Sequence, residues 1–412
     1  MGLVFLFSII LIIIGIYEKY FHQKNLDTIP VRVNVNGIRG KSTVTRLMTG
    51  ILTAAGYRVV GKTTGTEARM LFWYTKVETE IVRRLEGANI GEQKRVVAAA
   101  VKAKANALVS ECMAVTPDYQ IIFQNNFLQA NIGVIVNVLE DHLDVMGPTL
   151  DDIAEAFLPT IPYGGKLIIA PGPYENYFKA TAEKRNTEVL VADTAKIGKE
   201  ELRQFSSIYF PENIAIALAL AKALDIDEKI AWQGMLMANP DPGVANVHTL
   251  NILDEETYFV NGFAANDVMS TFAIWEMVKN SGYPTENIAV VLNCRADRID
   301  RSFQFAKEFL TNFPSELIIC MGQETKPVSD VYNSGKIETN EFCDVHDQNG
   351  YEVYKLIEEK IAGKTIFGIG NIHGTAFEFM DALLKIETKV NKPENKNGGD
   401  TLCKEQNYIL HL

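Results

Sequence analysis

Short apolar runs alternate along this chain with stretches whose apolar residues recur at helical spacing. Runs rich in β-branched residues at 31–36, 58–60, 107–111, 133–137, 167–170 and 189–192 read as buried strands. Between and after them, 42–55, 93–104 and 213–224 carry helix-period patterns. Buried strands separated by helices predict a doubly wound, mostly parallel α/β domain. The sequence NPDPG at 239–243 is a hinge signal. A second alternating series follows, with strands expected at 257–261, 288–293, 317–321 and 365–370, and predicts a smaller Rossmann-like α/β domain. From 389 onward the chain is polar and broken by Pro and Gly, as a flexible tail would be. The expected layout is therefore 1–25, 26–245, 246–388 and 389–412.

The first of these segments stands apart. Residues 2–17, GLVFLFSIILIIIGIY, carry no charge and are apolar on every helical face. Sixteen residues rise about 24 Å as a helix, against roughly 30 Å for a hydrocarbon core. A secretory signal would need a basic residue before the run and a small-residue cleavage site after it, and neither is there. Lys19 and Lys24 follow the run, and positive flanks stay on the cytoplasmic side. The segment reads as a membrane anchor with the body of the chain inside the cell.

Composition narrows the remaining classes. Forty Lys and Arg against fifty-one Asp and Glu give a net charge of −11, which argues against a nucleic-acid-binding surface. Five scattered cysteines form no CxxC pair, so neither a zinc ribbon nor a disulfide framework is expected.

The strongest chemical signal is Gly37-Ile-Arg39-Gly40-Lys41-Ser42-Thr43, where a strand runs through a glycine turn into a helix. Glycine turns let backbone amides curl round phosphate oxygens, and the helix N-terminus adds its positive end. Lys41 is placed to reach the terminal phosphates, and Ser42 or Thr43 to hold Mg²⁺. Five residues before Gly40, the common phosphate-loop pattern has glycine, whereas this chain has Val35. Two further strands end in acids. Residues 107–111 close on Glu111, and 133–137 lead into Asp141-His142-Leu143-Asp144. Carboxylates at the carboxyl ends of strands, following a phosphate loop, point to a metal–nucleotide site.

These residues, in this order, resemble the Mur ligase superfamily, which includes the peptidoglycan amino-acid ligases and folylpolyglutamate synthetase. The GIRGKST variant with an N-terminal apolar segment resembles a narrower group, the ligase subunit of poly-γ-glutamate synthase, the CapB/PgsB type. KTTGTEARM at 62–70, NIGEQ at 89–93, ENIAIALALA at 212–221, NGFAANDVMST at 261–271, NCRADRIDRS at 293–302 and GIGNIHG at 368–374 fit the same group. The resemblance implies a phosphate-loop ATPase domain followed by a ligase domain. It assigns Gly37, Arg39, Gly40, Lys41, Ser42 and Thr43 to ATP and a first Mg²⁺, and places Asn213 on the adenine side. It makes Glu111 a metal ligand and His142 a ligand of a second ion, which would accept Mn²⁺ as well as Mg²⁺. The family's carbamylated lysine falls some fifteen residues after that histidine, yet no lysine lies between His142 and Lys166. In the second domain it implies that Asp267 and Arg298 close over the nucleotide and present the incoming amino acid.

The implied reaction is ATP-dependent amide formation on glutamate through its γ-carboxyl group, by way of an acyl phosphate, yielding a capsular or secreted polymer. Glutamate and its polymer are anionic, so local cations must recognise them; Arg39, Lys62, Arg69, Arg295, Arg298 and Arg301 flank the motifs. Membrane partner subunits that export the polyanion are implied too. Two other classes stay open: an amino-acid ligase acting on a smaller acceptor, and a membrane NTPase that is no ligase.

Overall fold

A computed structural model of the chain describes residues 2–64, 68–82, 89–141, 143–205, 207, 209–240, 246–265, 267–390 and 410–411. The chain divides into two compact units. The first holds residues up to Ile197, Pro211–Asp241 and the extreme C-terminus; the second holds Pro242–Cys403 together with Gly198–Phe210.

The first unit is built on one sheet. Its strands are β1 (Val31–Asn36), β2 (Val59–Lys62), β3 (Arg69–Phe72), β4 (Thr79–Val82), β5 (Ala107–Glu111), β6 (Ile132–Ile135), β7 (Lys166–Ile169) and β8 (Glu188–Val191). They lie in the order β4-β3-β2-β5-β1-β6-β7-β8, with residues 410–411 beside β4. From β2 to β8 every pairing is parallel, while β2–β3 and β3–β4 are antiparallel. The central strands are apolar on both faces because helices cover both. One face is closed by Val96, Val97, Phe123 and Leu128 against Val60 and Leu108, and a second cluster packs Ile153 and Phe157 against Ile135 and Leu167. The expected doubly wound architecture is present; β3 and β4 are additions to it.

The apolar N-terminus is one continuous helix, α1 (Gly2–Asp27). Leu3–Asp27 is long and apolar enough to cross a membrane, with a mean hydropathy of 2.1 over its most apolar window and none of that window buried. Past Tyr20 its character changes. His22 Nε2 sits 3.0 Å from the Phe127 carbonyl, and the side-chain amides of Gln23 and Gln129 exchange hydrogen bonds of 3.1 and 2.8 Å. Leu26 and Ile29 are fully buried in the core beside Phe123. Pro30 then disfavours helical backbone at its predecessor and turns the chain into β1. The last two turns of α1 are thus part of the first unit. Removing residues 1–17 should leave its melting temperature unchanged. Removing residues 1–29 should lower it by roughly 10 °C, because two buried aliphatic side chains go with them, together with the hydrogen bonds of His22 and Gln23 and those that Arg32 gives the Leu26 and Ile29 carbonyls. Thermal unfolding of the two truncations checks this, and equal melting temperatures would overturn it.

The second unit carries β9 (Asn246–Ile252), β10 (Glu255–Asn261), β11 (Ile288–Cys294), β12 (Ser315–Gly322), β13 (Thr339–His346) and β14 (Thr365–Gly370) in the order β13-β12-β11-β14-β10-β9. All pairings are parallel except the β9–β10 hairpin, whose two turn residues Leu253 and Asp254 have φ of 52° and 64°. Such a turn matches the right-handed twist of the strands it joins. Trp275, Phe309, Phe313 and Phe367 pack edge to face and stacked on one side of this sheet. Arg203, from the 198–210 stretch, donates from Nε to the Ser281 carbonyl at 3.1 Å and so ties that stretch to this unit.

Candidate active site

β1 delivers the chain to its carboxyl end at Asn36, and the next four residues turn sharply into α2 (Lys41–Ala54). Two backbone positions there accept only glycine. Gly37 has φ +129°, and a Cβ on it would lie 3.0 Å from the backbone nitrogens of Val136 and Asn137. Gly40 has φ +83°, and its Cβ would meet Asn213 Oδ1 at 2.7 Å. The second approach places Asn213, buried on the helix Pro211–Ala223, directly against the loop. Neither a side-chain cap nor an acidic residue of its own occupies the first turn of α2, so its N-terminal amides present a positive end.

The loop is held from beneath by residues that the motif did not reveal. Asn137 Oδ1 accepts from the amides of Ile38 at 3.1 Å and Arg39 at 3.0 Å, while its Nδ2 donates to the Arg39 carbonyl at 2.9 Å. Asn36 Oδ1 accepts from the Gly37 amide at 2.8 Å, and its Nδ2 donates to Gln120 Oε1 at 2.7 Å. Lys41 Nζ folds back onto the carbonyls of Gly37 and Ile38 at 2.8 and 3.0 Å. The ammonium therefore already lies along the loop. Arg39 is exposed at the crest and Thr43 is buried.

Glu111 ends β5, next to β1 in the sheet, and is almost fully buried. Its Oε2 accepts from Ser42 Oγ and from the Thr64 amide, both at 2.8 Å. A hydroxyl and a carboxylate converging at a helix N-terminus are hard oxygen donors, and they fit Mg²⁺ completed by phosphate oxygens and water. Among the described residues no three His, Cys, Asp or Glu side chains gather as a metal cage. His142 lies outside the described residues. Fifteen residues beyond it stands Phe157, fully buried with Ile153 in the core, so that position itself carries no ligand where a lysine is missing. Cys112 follows Glu111 directly, but burial pushes its thiol up to about 11, which removes it as a nucleophile.

Lys62 has no place among the substrate-facing cations. It is fully buried, with Nζ 3.2 Å from Glu92 Oε1. Arg69 opens β3 and is half-buried, its amide bonded to Thr63 Oγ1 at 3.3 Å.

In the second unit, the arginines gather at the carboxyl ends of β11 and β14. Arg295 forms a two-pronged pair with Asp297 at 2.9 and 2.8 Å, and Arg298 is exposed at the start of the helix Ile299–Gln304. Arg301 Nη1 donates to Asn371 Oδ1 at 2.8 Å. Partial burial, with Arg298 and Arg295 close by, lowers the pKa of the Arg301 guanidinium. Asn293 ties the two strand ends together, donating from Nδ2 to the carbonyls of Asn371 and His373 at 2.6 and 2.9 Å. Asp267 caps the helix Val268–Asn280 by accepting from the Ser270 amide at 2.8 Å and its hydroxyl at 2.6 Å. Such bonds are those of a helix N-cap aspartate.

Residues 35–234 match the Mur ligase middle domain, and residues 247–386 match the poly-gamma-glutamate synthase CapB C-terminal domain. The chain is 52% identical over 389 residues to the PGA synthase CapB of Bacillus subtilis (strain 168), covering 94% of this chain and 99% of that protein. It is 50% identical over 389 residues to the capsule biosynthesis protein CapB of Bacillus anthracis, covering 94% of this chain and 83% of that one. Among solved structures it is similar in fold to a bifunctional folylpolyglutamate synthase/dihydrofolate synthase with Mn, AMPPNP and L-glutamate bound, with a TM-score of 0.52, 14% identity, and coverage of 89% of this chain and 92% of that one. With half its residues identical over nearly its whole length, and both domain models matched in order, the chain belongs to the poly-gamma-glutamate synthase CapB family.

Proposed function

We propose that this chain is an ATP-dependent ligase that joins glutamate units through their γ-carboxyl groups. The observation that carries the reading is the Ser42–Glu111 contact beneath a glycine loop opened by Lys41, in a chain of this family. A carboxylate has no leaving group at neutral pH. Attack of its oxygen on the γ-phosphorus of ATP breaks the bond to ADP and forms an acyl phosphate. An amine then attacks the acyl carbon, phosphate departs, the amine gives up its proton, and an amide remains.

Lys41 and the α2 N-terminus stabilise the negative charge that spreads over the transferring group. Ser42 and Glu111 would hold Mg²⁺, which supplies charge neutralisation at the same oxygens. Asn137 and Asn36 fix the loop so that its geometry is prepared before ATP arrives. Arg295, Arg298 and Arg301, with Asp267, are our candidates for receiving the carboxylates and amine of glutamate and of the growing chain. The exposed apolar part of α1 anchors the ligase in the cell membrane, and Lys19 and Lys24 keep its body on the cytoplasmic side. Small membrane subunits that pass the polyanion outward complete the assembly.

Membranes carrying the full chain, supplied with ATP, Mg²⁺ and labelled glutamate, test this reading. Glutamate-dependent ADP release with a ladder of long labelled products is the expected result. ADP release that ignores glutamate would mean an NTPase, and addition of one or a few residues would mean a ligase for a smaller acceptor.

A further inference from the structure

A fully buried lysine is unusual, and Lys62 is placed where it bears on the site. It is the last residue of β2, and its register partner on β5 is Ser110, the residue before Glu111. Its ammonium lies 3.2 Å from Glu92 Oε1 and 3.6 Å from Met113 Sδ, so it sits beneath the turn that follows Glu111. Glu92 opens α3 (Glu92–Lys102), and its neighbour Gln93 accepts from Ser110 Oγ at 3.1 Å. Two residues beyond Lys62, the Thr64 amide donates to Glu111 Oε2. Three segments therefore meet at this ion pair: the end of β2, the start of α3 and the end of β5. The β5 end carries the carboxylate, the β2 end reaches it through Thr64, and α3 bonds to the residue before it.

Burying two charges costs desolvation that their attraction barely repays, and an apolar pair of similar volume would close the same space at least as well. A polar pair kept at this junction specifies geometry that an apolar pair leaves loose. We infer that Lys62 and Glu92 are positioning residues that hold Glu111 in the orientation needed for cation binding, acting through Thr64 and the β5 end. The inference rests on the reading of Glu111 as a cation ligand. Supports one step behind a metal ligand commonly govern metal affinity by ten- to a hundredfold, because they fix the ligand before the ion arrives.

The test uses the full chain in detergent and a fluorescent, non-hydrolysable ATP analogue titrated with Mg²⁺. The double variant Lys62→Met, Glu92→Leu should melt like wild type, since no lone charge is left buried. Its affinity for the analogue in EDTA should be unchanged, while the Mg²⁺ concentration that half-saturates tightening of the complex should rise about tenfold or more. A wild-type Mg²⁺ midpoint in that folded variant overturns the inference and makes the pair a fold element only. Should the double variant not fold, Lys62→Gln, Glu92→Gln keeps both shapes and leaves no lone charge. It should raise the Mg²⁺ midpoint in the same assay, and an unchanged value overturns the inference equally. Binding and turnover separate the two readings: wild type that binds the analogue with Mg²⁺ yet releases no ADP with glutamate defeats the ligase reading alone.

Discussion

Lys41→Ala should lose more than about a hundredfold of glutamate-dependent ADP release while melting like wild type. The side chain is only partly buried and packs no core; its contacts are two carbonyls of its own loop. Losing it therefore costs little folding energy. What disappears is the ammonium that lies along the loop. Charge on the transferring phosphoryl group grows toward the transition state, so a donor aimed there contributes more to the rate than to binding. The turnover rate should accordingly fall by much more than the affinity for ATP. A Lys41→Ala protein that turns over at the wild-type rate would show that phosphates bind elsewhere.

Much of this site was legible in the residue order, and what was missed shares one physical cause. A phosphate loop is local: its glycines, lysine and hydroxyl are consecutive, so Gly37, Gly40, Lys41 and Ser42 could be read directly. Glu111 was visible because it closes an apolar run, and strand ends at the carboxyl edge carry α/β ligands. The supports are not local. Asn137 reaches the loop from about a hundred positions away, and Gln120 reaches Asn36 across 84. An asparagine and a glutamine at such separations look like any polar residue until the sheet brings them together. Lys62 shows the opposite error. Its charge suggested a solvent-facing cation beside a cleft, but β2 turns it inward to Glu92.

The strands followed the same logic. β1, β5 and β11 lie inside their sheets, and their short apolar runs stand out. β13 is an edge strand with only partial burial, and its sequence TNEFCDVH carries no apolar period strong enough to detect. β9 buries only Val247, Leu250 and Ile252 of its seven residues, and β3 and β4 are four residues each. The N-terminal helix divides similarly. Its apolar half was evident from composition, whereas the docking of His22, Gln23 and Leu26 depends on Phe127 and Gln129, which sequence alone does not bring near.

The largest loss should come from Glu111→Ala, about a thousandfold in glutamate-dependent ADP release and without rescue by added metal. This carboxylate is the shared acceptor for Ser42 Oγ and the Thr64 amide, so its removal unfastens the hydroxyl and the β2–β3 connection together. On the proposed reading of Glu111 as a cation ligand, it also removes the negative charge that holds a divalent ion beside the phosphates. Raising Mg²⁺ or Mn²⁺ refills a site whose ligands are weakened, but it supplies no carboxylate. Alanine leaves a small buried gap lined by polar groups beneath the loop, so unfolding has to be excluded as the cause. Glu111→Gln provides that control: it keeps the side-chain volume and an acceptor oxygen, and it should melt near wild type yet remain almost as inactive. The measurement is ADP release over a titration of each metal for both variants. Recovery of wild-type rates at high Mg²⁺ in either would mean that Glu111 only fastens the loop, and the cation would then have to be held by other oxygens.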